Sequence, residues 1–254
     1  MAITEFDEAG QPVTVPAVAR TILIGDVHGC AAELSELLER VALTADDSLV
    51  FVGDLVARGP DSRGVLRIVR EQGALCVRGN HEEKLLAGRH ARRIGSSKPK
   101  LTASHAALVE TLDDEEWAQI EALPLWLELK AQGLFVVHAG IVPGHSWEGQ
   151  DPWMLTHIRS IDDDGKPSAR WGRPWGALYN GPEHIVFGHN AQRVPQLHPY
   201  ATGIDTACVY GGELTALVLL DGAPIPPPEA RRDALVSVRA KRVYLDYGGP
   251  LPGA

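Results

Sequence analysis

Short apolar runs recur along the chain, and each ends in small and polar residues. Five of these runs end in a glycine and an aspartate, asparagine or histidine that lie within two residues of each other. They are residues 21–26, 48–54, 74–80, 134–140 and 184–189. Continuous apolar runs of about four to eight residues are typical of strands that are buried on both faces. The pattern therefore predicts buried strands whose carboxyl ends carry polar side chains.

Apolar residues recur at helical spacing between the first three runs, in segments 31–43 and 62–73. Each segment therefore has one apolar face, as an amphipathic helix requires. Gly73 stands where the second helix is expected to end. Alternation of strand and helix implies β-α-β units with parallel strands.

The remaining chain contains two inserts and two further predicted strands. Residues 83–131 are predicted to be mainly helical, with a break at 95–99, whereas residues 141–182 are irregular and rich in Trp and Pro. Apolar runs predict strands within 212–220 and 234–247. Since no internal repeat or linker is present, we expect one domain of mixed α/β class over residues 1–254.

Side chains that can bind metals stand at the carboxyl ends of the five runs. They are Asp26, His28, Asp54, Asn80, His81, His138 and His189. In open α/β sheets the carboxyl ends of the strands form the site, so we expect these side chains to converge. Oxygen and imidazole donors without a thiolate favour Mn, Fe or Zn over Cu(I), and a central aspartate is suited to bridge two ions.

Each of these residues taken alone could have a purely structural role. An Asp after a strand often caps a helix, and a lone His is usually structural; His105 and the other histidines outside the five motifs are assigned that role. Five motifs of the same chemistry are not explained in this way, because independent caps would not share these residue types.

Composition narrows the class of protein. The 254 residues are 44% hydrophobic and 22% charged, which is ordinary for a globular protein. Lys and Arg total 24 against 33 Asp and Glu, and the formal net charge of -9 argues against extended contact with nucleic acid. The three widely spaced cysteines indicate reduced thiols rather than a disulfide framework. With no secretory pattern and no apolar run of about 20 residues, a cytoplasmic location away from membranes is predicted.

The strand-end motifs together resemble the calcineurin-like metallophosphoesterases, and within them the phosphoprotein phosphatase branch. The matching blocks are GDVHG (25–29), GDLVARGP (53–60), RGNHE (78–82), HAG (138–140) and GH (188–189). Further stretches, GDVHGCAAELSELL, HEEKLLAG and GIDTACVYGGELTALVL, are similar to the bacterial members typified by diadenosine tetraphosphatase. The resemblance implies a four-layer sandwich with two mixed β-sheets flanked by helices.

The resemblance also implies a role for each motif residue. Two divalent ions, most consistent with Mn and alternatively Fe, Zn, Co or Ni, would be held by Asp26 and His28, by Asp54 as the bridge, and by Asn80, His138 and His189. His81 would donate a proton to the leaving oxygen. Arg58 and Arg78 would hold phosphate oxygens, with Asn80 beside the substrate.

The implied reaction is hydrolysis of a phosphoester or phosphoanhydride by a hydroxide that bridges the ions. Two cations neutralise the phosphate and lower the pKa of the bridging water. Arginine pairs with phosphate oxygens in a bidentate manner, and a proton from an imidazole contributes about 10²–10⁴-fold. The expected substrate is a dinucleoside polyphosphate such as diadenosine tetraphosphate. The alternatives are phosphoserine or phosphothreonine in proteins, small phosphoesters in general, and a non-catalytic module that binds metal and phosphate.

Position 57 departs from the family pattern. The second block usually has the form Gly-Asp-x-x-Asp-Arg-Gly, and its second Asp is Ala57 here. The resemblance implies that this carboxylate pairs with the histidine corresponding to His81, where it raises the imidazole pKa and fixes the tautomer. Either another carboxylate replaces it, or the protein is naturally a weak enzyme or a binder, or Ala57 is an engineered change that traps substrate. We favour the third explanation.

The irregular insert is expected to border the pocket. Its aromatic residues Trp147, Trp153, Trp171, Trp175 and Tyr179 either stack on a nucleobase or form a local core. The family usually supplies a phosphate-binding arginine from this region, for which Arg159, Arg170 and Arg173 are candidates. Asn190 follows His189 where the family often has Thr, which changes a hydrogen bond rather than a ligand.

Overall fold

The computed structural model describes residues 3–6, 12–15, 19–97, 99–130 and 132–252. Seven α-helices occur in this part of the chain: α1 (Ala31–Arg40), α2 (Ser62–Glu71), α3 (Asn80–Arg93), α4 (Ala103–Thr111), α5 (Asp114–Glu121), α6 (Pro152–His157) and α7 (Pro228–Arg231). No helix among the described residues is long and apolar enough to cross a membrane.

The strands of the same part of the chain form two five-stranded sheets and two small ones. They are β1 (Ile3–Phe6), β2 (Pro12–Val15), β3 (Arg20–Ile24), β4 (Ser48–Phe51), β5 (Leu75–Cys76), β6 (Trp126–Leu129), β7 (Leu134–Val137), β8 (Ser160–Ile161), β9 (Pro167–Ser168), β10 (Arg173–Pro174), β11 (His184–Phe187), β12 (Gln196–Leu197), β13 (Ala201–Gly203), β14 (Glu213–Leu220) and β15 (Leu235–Arg239).

Both large sheets are mixed. The first has the order β15-β14-β3-β4-β5, in which β3, β4 and β5 are parallel and β14 and β15 are antiparallel to their neighbours. The second has the order β12-β13-β11-β7-β6, with β7, β11 and β13 parallel. Parallel pairing of β3, β4 and β5 agrees with the β-α-β units predicted from the apolar pattern.

Successive side chains of the central strands enter different apolar layers. Ile22 and Ile24 pack with α1 and α2, whereas Leu23 between them packs against the second sheet. On β11, Val186 lies between the sheets, while its neighbours Ile185 and Phe187 enter the outer cluster around Trp175. Because strand side chains alternate between faces, each run is apolar throughout, and the two packed sheets give the predicted four-layer fold.

The structure differs from the sequence-based expectation in both inserts and at the C-terminal end. Segment 83–131 ends in strand β6 rather than in a helix, and segment 141–182 contains α6 and the three-stranded sheet of β8, β9 and β10. The last strand stops at Arg239 instead of continuing to 247. The chain turns there because Glu33 on α1 accepts hydrogen bonds from the Lys241 N–H and the Tyr244 hydroxyl.

Candidate active site

The polar strand ends of both large sheets meet at one place. Around Asp54, after β4, the Oδ2 atom lies 3.5 Å from Nε2 of His28 and 3.4 Å from Nε2 of His138. Asn80, at the start of α3, has its Oδ1 atom 3.0 Å from both Nε2 of His138 and Nδ1 of His189. The carboxyl ends of five strands therefore converge, as the strand spacing predicts: β3, β4, β5, β7 and β11.

Asp26 is joined to this cluster through the backbone of His189. The His189 N–H donates to both carboxylate oxygens of Asp26, at 3.1 and 3.0 Å. Burial and the neighbouring Asp205 carboxylate raise the pKa of Asp26 well above its usual value. Asp205 belongs to the GIDTACVYGG block, and sequence reasoning assigned it no role.

Strained backbone positions coincide with the cluster. His28, Asp54 and His189 have φ angles of +49°, +50° and +62°, in the left-handed region that non-glycine residues rarely adopt. Glycine is required beside them: a Cβ on Gly79 would lie 2.2 Å from Oδ1 of Asp54, and one on Gly188 1.9 Å from Oδ1 of Asp26. Strain of this kind persists only where the surroundings hold it, which is common at functional sites.

The donor atoms fit divalent cations. Atoms of His28, Asp54 and His81 lie within 4.8 Å of one another, and so do atoms of Asp54, His138 and His189. Asp54 is common to both groups, which suits a carboxylate shared by two ions. Burial disfavours the charged imidazole of His138, yet the Asp54 carboxylate outweighs it and raises the pKa of His138 to about 10. The buried Asp54 carboxylate thus stabilises a positive charge beside it.

His81 lies between two other imidazoles. Its ring centroid is 4.7 Å from that of His28 and 4.8 Å from that of His105, with which it stacks. Its Nδ1 atom is buried and has no hydrogen-bond partner among the described residues. Burial lowers the pKa of His81 well below its usual value. Within the described part of the chain, therefore, no carboxylate replaces the one missing at Ala57.

Glu82 organises the loop that carries Asp54. Its Oε2 atom accepts the N–H groups of Asp54 at 2.9 Å and Gly79 at 2.8 Å, and Oε1 accepts those of Leu55 at 2.9 Å and Val56 at 3.3 Å. The side chain is fully buried. Glu82 stands in the RGNHE block, but sequence reasoning gave it no role because three of the four donors come from backbone that is distant in sequence.

Replacement of Glu82 by Gln is expected to destabilise the fold and to lower activity. An amide offers one acceptor oxygen where the carboxylate offers two, so backbone N–H groups near Asp54 are left unpaired at about 1–3 kcal/mol each. We expect the free energy of unfolding to fall by about 2–4 kcal/mol, measured by urea denaturation. Glu71→Gln, at the exposed end of α2, is the matched control. Equal unfolding curves for both variants would contradict this role.

Three of the five arginines predicted as phosphate ligands have different surroundings. Nη1 of Arg58 lies 2.7 Å from Nε2 of His28, so this guanidinium reaches the cluster. The guanidinium of Arg78 instead donates to the carbonyl of Glu121 at 3.0 Å, away from the other site residues. Nη1 of Arg159 donates to the carbonyl of His189 at 3.1 Å and to Oδ1 of Asn190 at 3.0 Å. The irregular insert thus reaches the site through Arg159.

Most aromatic residues of the insert belong to a local core. Trp175 is fully buried and donates its indole N–H to the Ala139 carbonyl at 2.9 Å. Trp147 stacks on Phe135, with ring centroids 4.3 Å apart. Trp153 and Trp171 are exposed, and the Trp171 ring packs under the guanidinium of Arg159. Arg170 and Arg173 are exposed, so neither shares the surroundings of Arg159.

Fold and site together define a family. Residues 19–221 match the calcineurin-like phosphoesterase model, and the chain belongs to that family. It is a metal-dependent phosphoesterase with the fold of two mixed sheets flanked by helices that the motifs imply.

Named relatives are bacterial. The chain is 33% identical over 221 residues to the asymmetrical bis(5'-nucleosyl)-tetraphosphatase PrpE of Oceanobacillus iheyensis. The match covers 76% of this chain and 86% of the relative. It is 32% identical over 207 residues to serine/threonine-protein phosphatase 1 of Salmonella typhimurium, covering 76% and 88%. A crystal structure assigned provisionally as a diadenosine tetraphosphatase superposes with a TM-score of 0.73 at 33% identity, covering 89% of this chain and 95% of that one.

Proposed function

We propose that the chain hydrolyses dinucleoside polyphosphates of the diadenosine tetraphosphate type, with two divalent ions at the strand ends. The observation that carries the proposal is the buried carboxylate of Asp54, shared by two groups of nitrogen and oxygen donors. Relatives named as bis(5'-nucleosyl)-tetraphosphatases support the substrate class. Oxygen and imidazole donors without a thiolate favour Mn, Fe or Zn over Cu(I), and manganese is the one of these that we propose.

The proposed ligands are the residues that the motifs indicated. Asp26 and His28 would hold one ion, Asp54 would bind both, and the other would be held by Asn80, His138 and His189. When bound, the ions supply positive charge that stabilises the phosphoryl oxygens and activates the attacking water. His81 lies within reach of the same place and acts as the proton donor to the leaving oxygen.

Arginine side chains position the phosphate. Arg58 touches His28 and therefore lies next to the reacting phosphoryl group. Arg159 is the insert arginine that we propose as a second phosphate ligand, because its guanidinium reaches the His189 carbonyl. Arg78 was predicted to take part as well, and its contact with Glu121 supplies no support for that role.

Protein phosphatase activity is the second candidate. It is favoured by the similarity to serine/threonine-protein phosphatase 1, and the same centre serves both reactions. A non-catalytic module that binds metal and phosphate is the third, and Ala57 beside an unpartnered His81 is the feature in its favour. Buried, free cysteines at positions 30, 76 and 208 support a reducing compartment such as the cytoplasm.

Metal removal and substrate comparison test the proposal together. After dialysis against a chelator, we expect hydrolysis to disappear and to return with Mn²⁺, since the ions supply the charge at the phosphate. Diadenosine tetraphosphate, a phosphoserine peptide and an aryl phosphate are then compared at equal concentration. ATP plus AMP as products would match the asymmetrical relatives, whereas ADP alone indicates symmetric cleavage. Full activity without metal would refute the metal centre, and a preference for the peptide would favour the protein phosphatase.

A further inference from the structure

A cavity of about 620 Å³ opens directly beside the proposed proton donor. Arg58, Asn80 and His81 are among the residues that line it. Its volume lies within the usual range of small-molecule sites, about 300–1,000 Å³. Since His81 faces this cavity, the oxygen that receives its proton also lies on this side, and the departing part of the substrate has to occupy it.

One wall of the cavity is cationic. Lys84 on α3 and the first turn of α4 contribute to it. Thr102, which precedes α4, makes no side-chain hydrogen bond to the N–H groups of that turn, so these donors are open to an anion. The Ser104 hydroxyl accepts the N–H of Arg58 at 3.3 Å, which joins this wall to the site. Such a wall suits further phosphate groups of a polyphosphate.

The other wall is mainly aromatic and apolar, and it also carries the exposed carboxylate of Asp246. The rings of Tyr210 and Tyr247 meet edge to face, with centroids 5.0 Å apart, and the exposed side chain of Leu245 lies beside them. The guanidinium of Arg58 lies over the Tyr210 ring, 5.4 Å from its centroid. Neither tyrosine hydroxyl is bonded to another residue in the part of the chain that the structure describes. Aromatic faces of this kind stack on nucleobases at about 1–3 kcal/mol per base.

The aromatic wall comes largely from a segment outside the matched family domain. The family match ends at residue 221, whereas Leu245 and Tyr247 lie in the turn of chain after β15. That segment is fixed in place, because the N–H groups of Tyr244 and Leu245 both donate to the Val209 carbonyl, at 3.1 and 3.0 Å. These hydrogen bonds therefore hold the C-terminal segment against the cavity.

We propose that the cavity is the subsite of the leaving nucleotide, with its phosphates along Lys84 and α4 and its base against Tyr247 and Leu245. The inference rests on the proposed phosphoanhydride hydrolysis and assigns this chain's selectivity for nucleotides to its C-terminal segment. Stacking on this wall contributes affinity for any nucleobase, because every base has a π-face.

Substitution of Tyr247 tests the subsite through the ratio of the KM values for two substrates, one with a nucleobase and one without. Tyr247→Ala is expected to raise KM for diadenosine tetraphosphate about 10-fold more than KM for p-nitrophenyl phosphate, because only the dinucleotide carries a base. Tyr247→Phe keeps the ring and should restore the parent ratio. Tyr200→Ala, at an exposed tyrosine between β12 and β13, is the matched control and should leave the ratio unchanged. Equal changes for both substrates in Tyr247→Ala would overturn the proposal.

Inhibition separates this proposal from the proposed function. With p-nitrophenyl phosphate as the reporter, ATP is expected to inhibit about 10-fold more strongly than tripolyphosphate, and Tyr247→Ala should abolish that difference. Lys84→Ala should weaken both inhibitors, whereas Lys130→Ala, on an exposed lysine, should weaken neither. If diadenosine tetraphosphate is not hydrolysed but ATP still shows this preference, the substrate assignment fails and the subsite stands. Equal inhibition by ATP and tripolyphosphate would refute the subsite.

Discussion

Ala57→Asp is expected to raise turnover of an alkyl phosphate by roughly 10- to 1,000-fold, a part of the 10²–10⁴-fold that a general acid typically contributes. The physical reason is the state of His81, whose Nδ1 atom is buried without a partner among the described residues and whose pKa burial holds well below its usual value. A carboxylate at position 57 would pair with the imidazole, raise its pKa and hold one tautomer. Ala57 has a φ of +66°, a conformation that Asp tolerates better than most residues.

The comparison of leaving groups isolates proton transfer from other effects. An aryl phosphate leaves as a weakly basic phenolate, so the gain on Ala57→Asp should be smaller there than with an alkyl ester. Ala57→Asn has nearly the same shape without the charge and should stay near the parent rate. Identical steady-state rates for the parent protein and the Ala57→Asp variant with an alkyl phosphate would contradict the role given to His81.

Asp54→Asn is expected to lower kcat by about 10³-fold or more, because an ion's charge stabilisation is worth several kcal/mol and each 1.36 kcal/mol is tenfold. Asp54 is the member shared by both donor groups, so loss of its charge weakens both ions at once. The amide also removes the charge that faces Nε2 of His138 at 3.4 Å. Metal content per chain, measured by atomic spectroscopy, should fall together with the rate.

Asp163→Asn is the matched control for that variant, since Asp163 is exposed on the insert. Its metal content and kcat should equal those of the parent. An Asp54→Asn protein that keeps two equivalents of metal and more than about a tenth of the rate would refute the bridging role.

The sequence predicted the elements with strong periodicity and the place where they meet. Runs such as 184–189 are apolar throughout because β11 contacts apolar layers on both faces, and this made them recognisable as strands. Ends of consecutive parallel strands share one edge, so the convergence of Asp26, Asp54 and Asn80 followed from spacing alone. The left-handed φ of Asp54 had no sequence signal besides the neighbouring glycine.

Contacts between distant segments were not predictable in the same way. His105 was expected to be an ordinary structural histidine, and its stacking on His81 depends on the packing of α4 against α3. Segment 234–247 has the alternation of a strand, but its last third is bonded to Glu33 and Val209 instead. The sequence did not distinguish Arg159 from two other candidates for a phosphate-binding arginine. The fold of the insert distinguishes it, because its guanidinium contacts the His189 carbonyl.

The two-sheet origin of the metal ligands has a consequence for residues far from the reaction. Asp26, Asp54 and Asn80 follow strands of the first sheet, while His138 and His189 follow strands of the second. The apolar layer between the sheets, with Leu23, Val50, Val136 and Val186 among its members, therefore acts as a spacer that sets the gap between the ligands. A change of volume in that layer would shift one half of the site against the other, so the catalytic rate depends on interior packing far from the reaction.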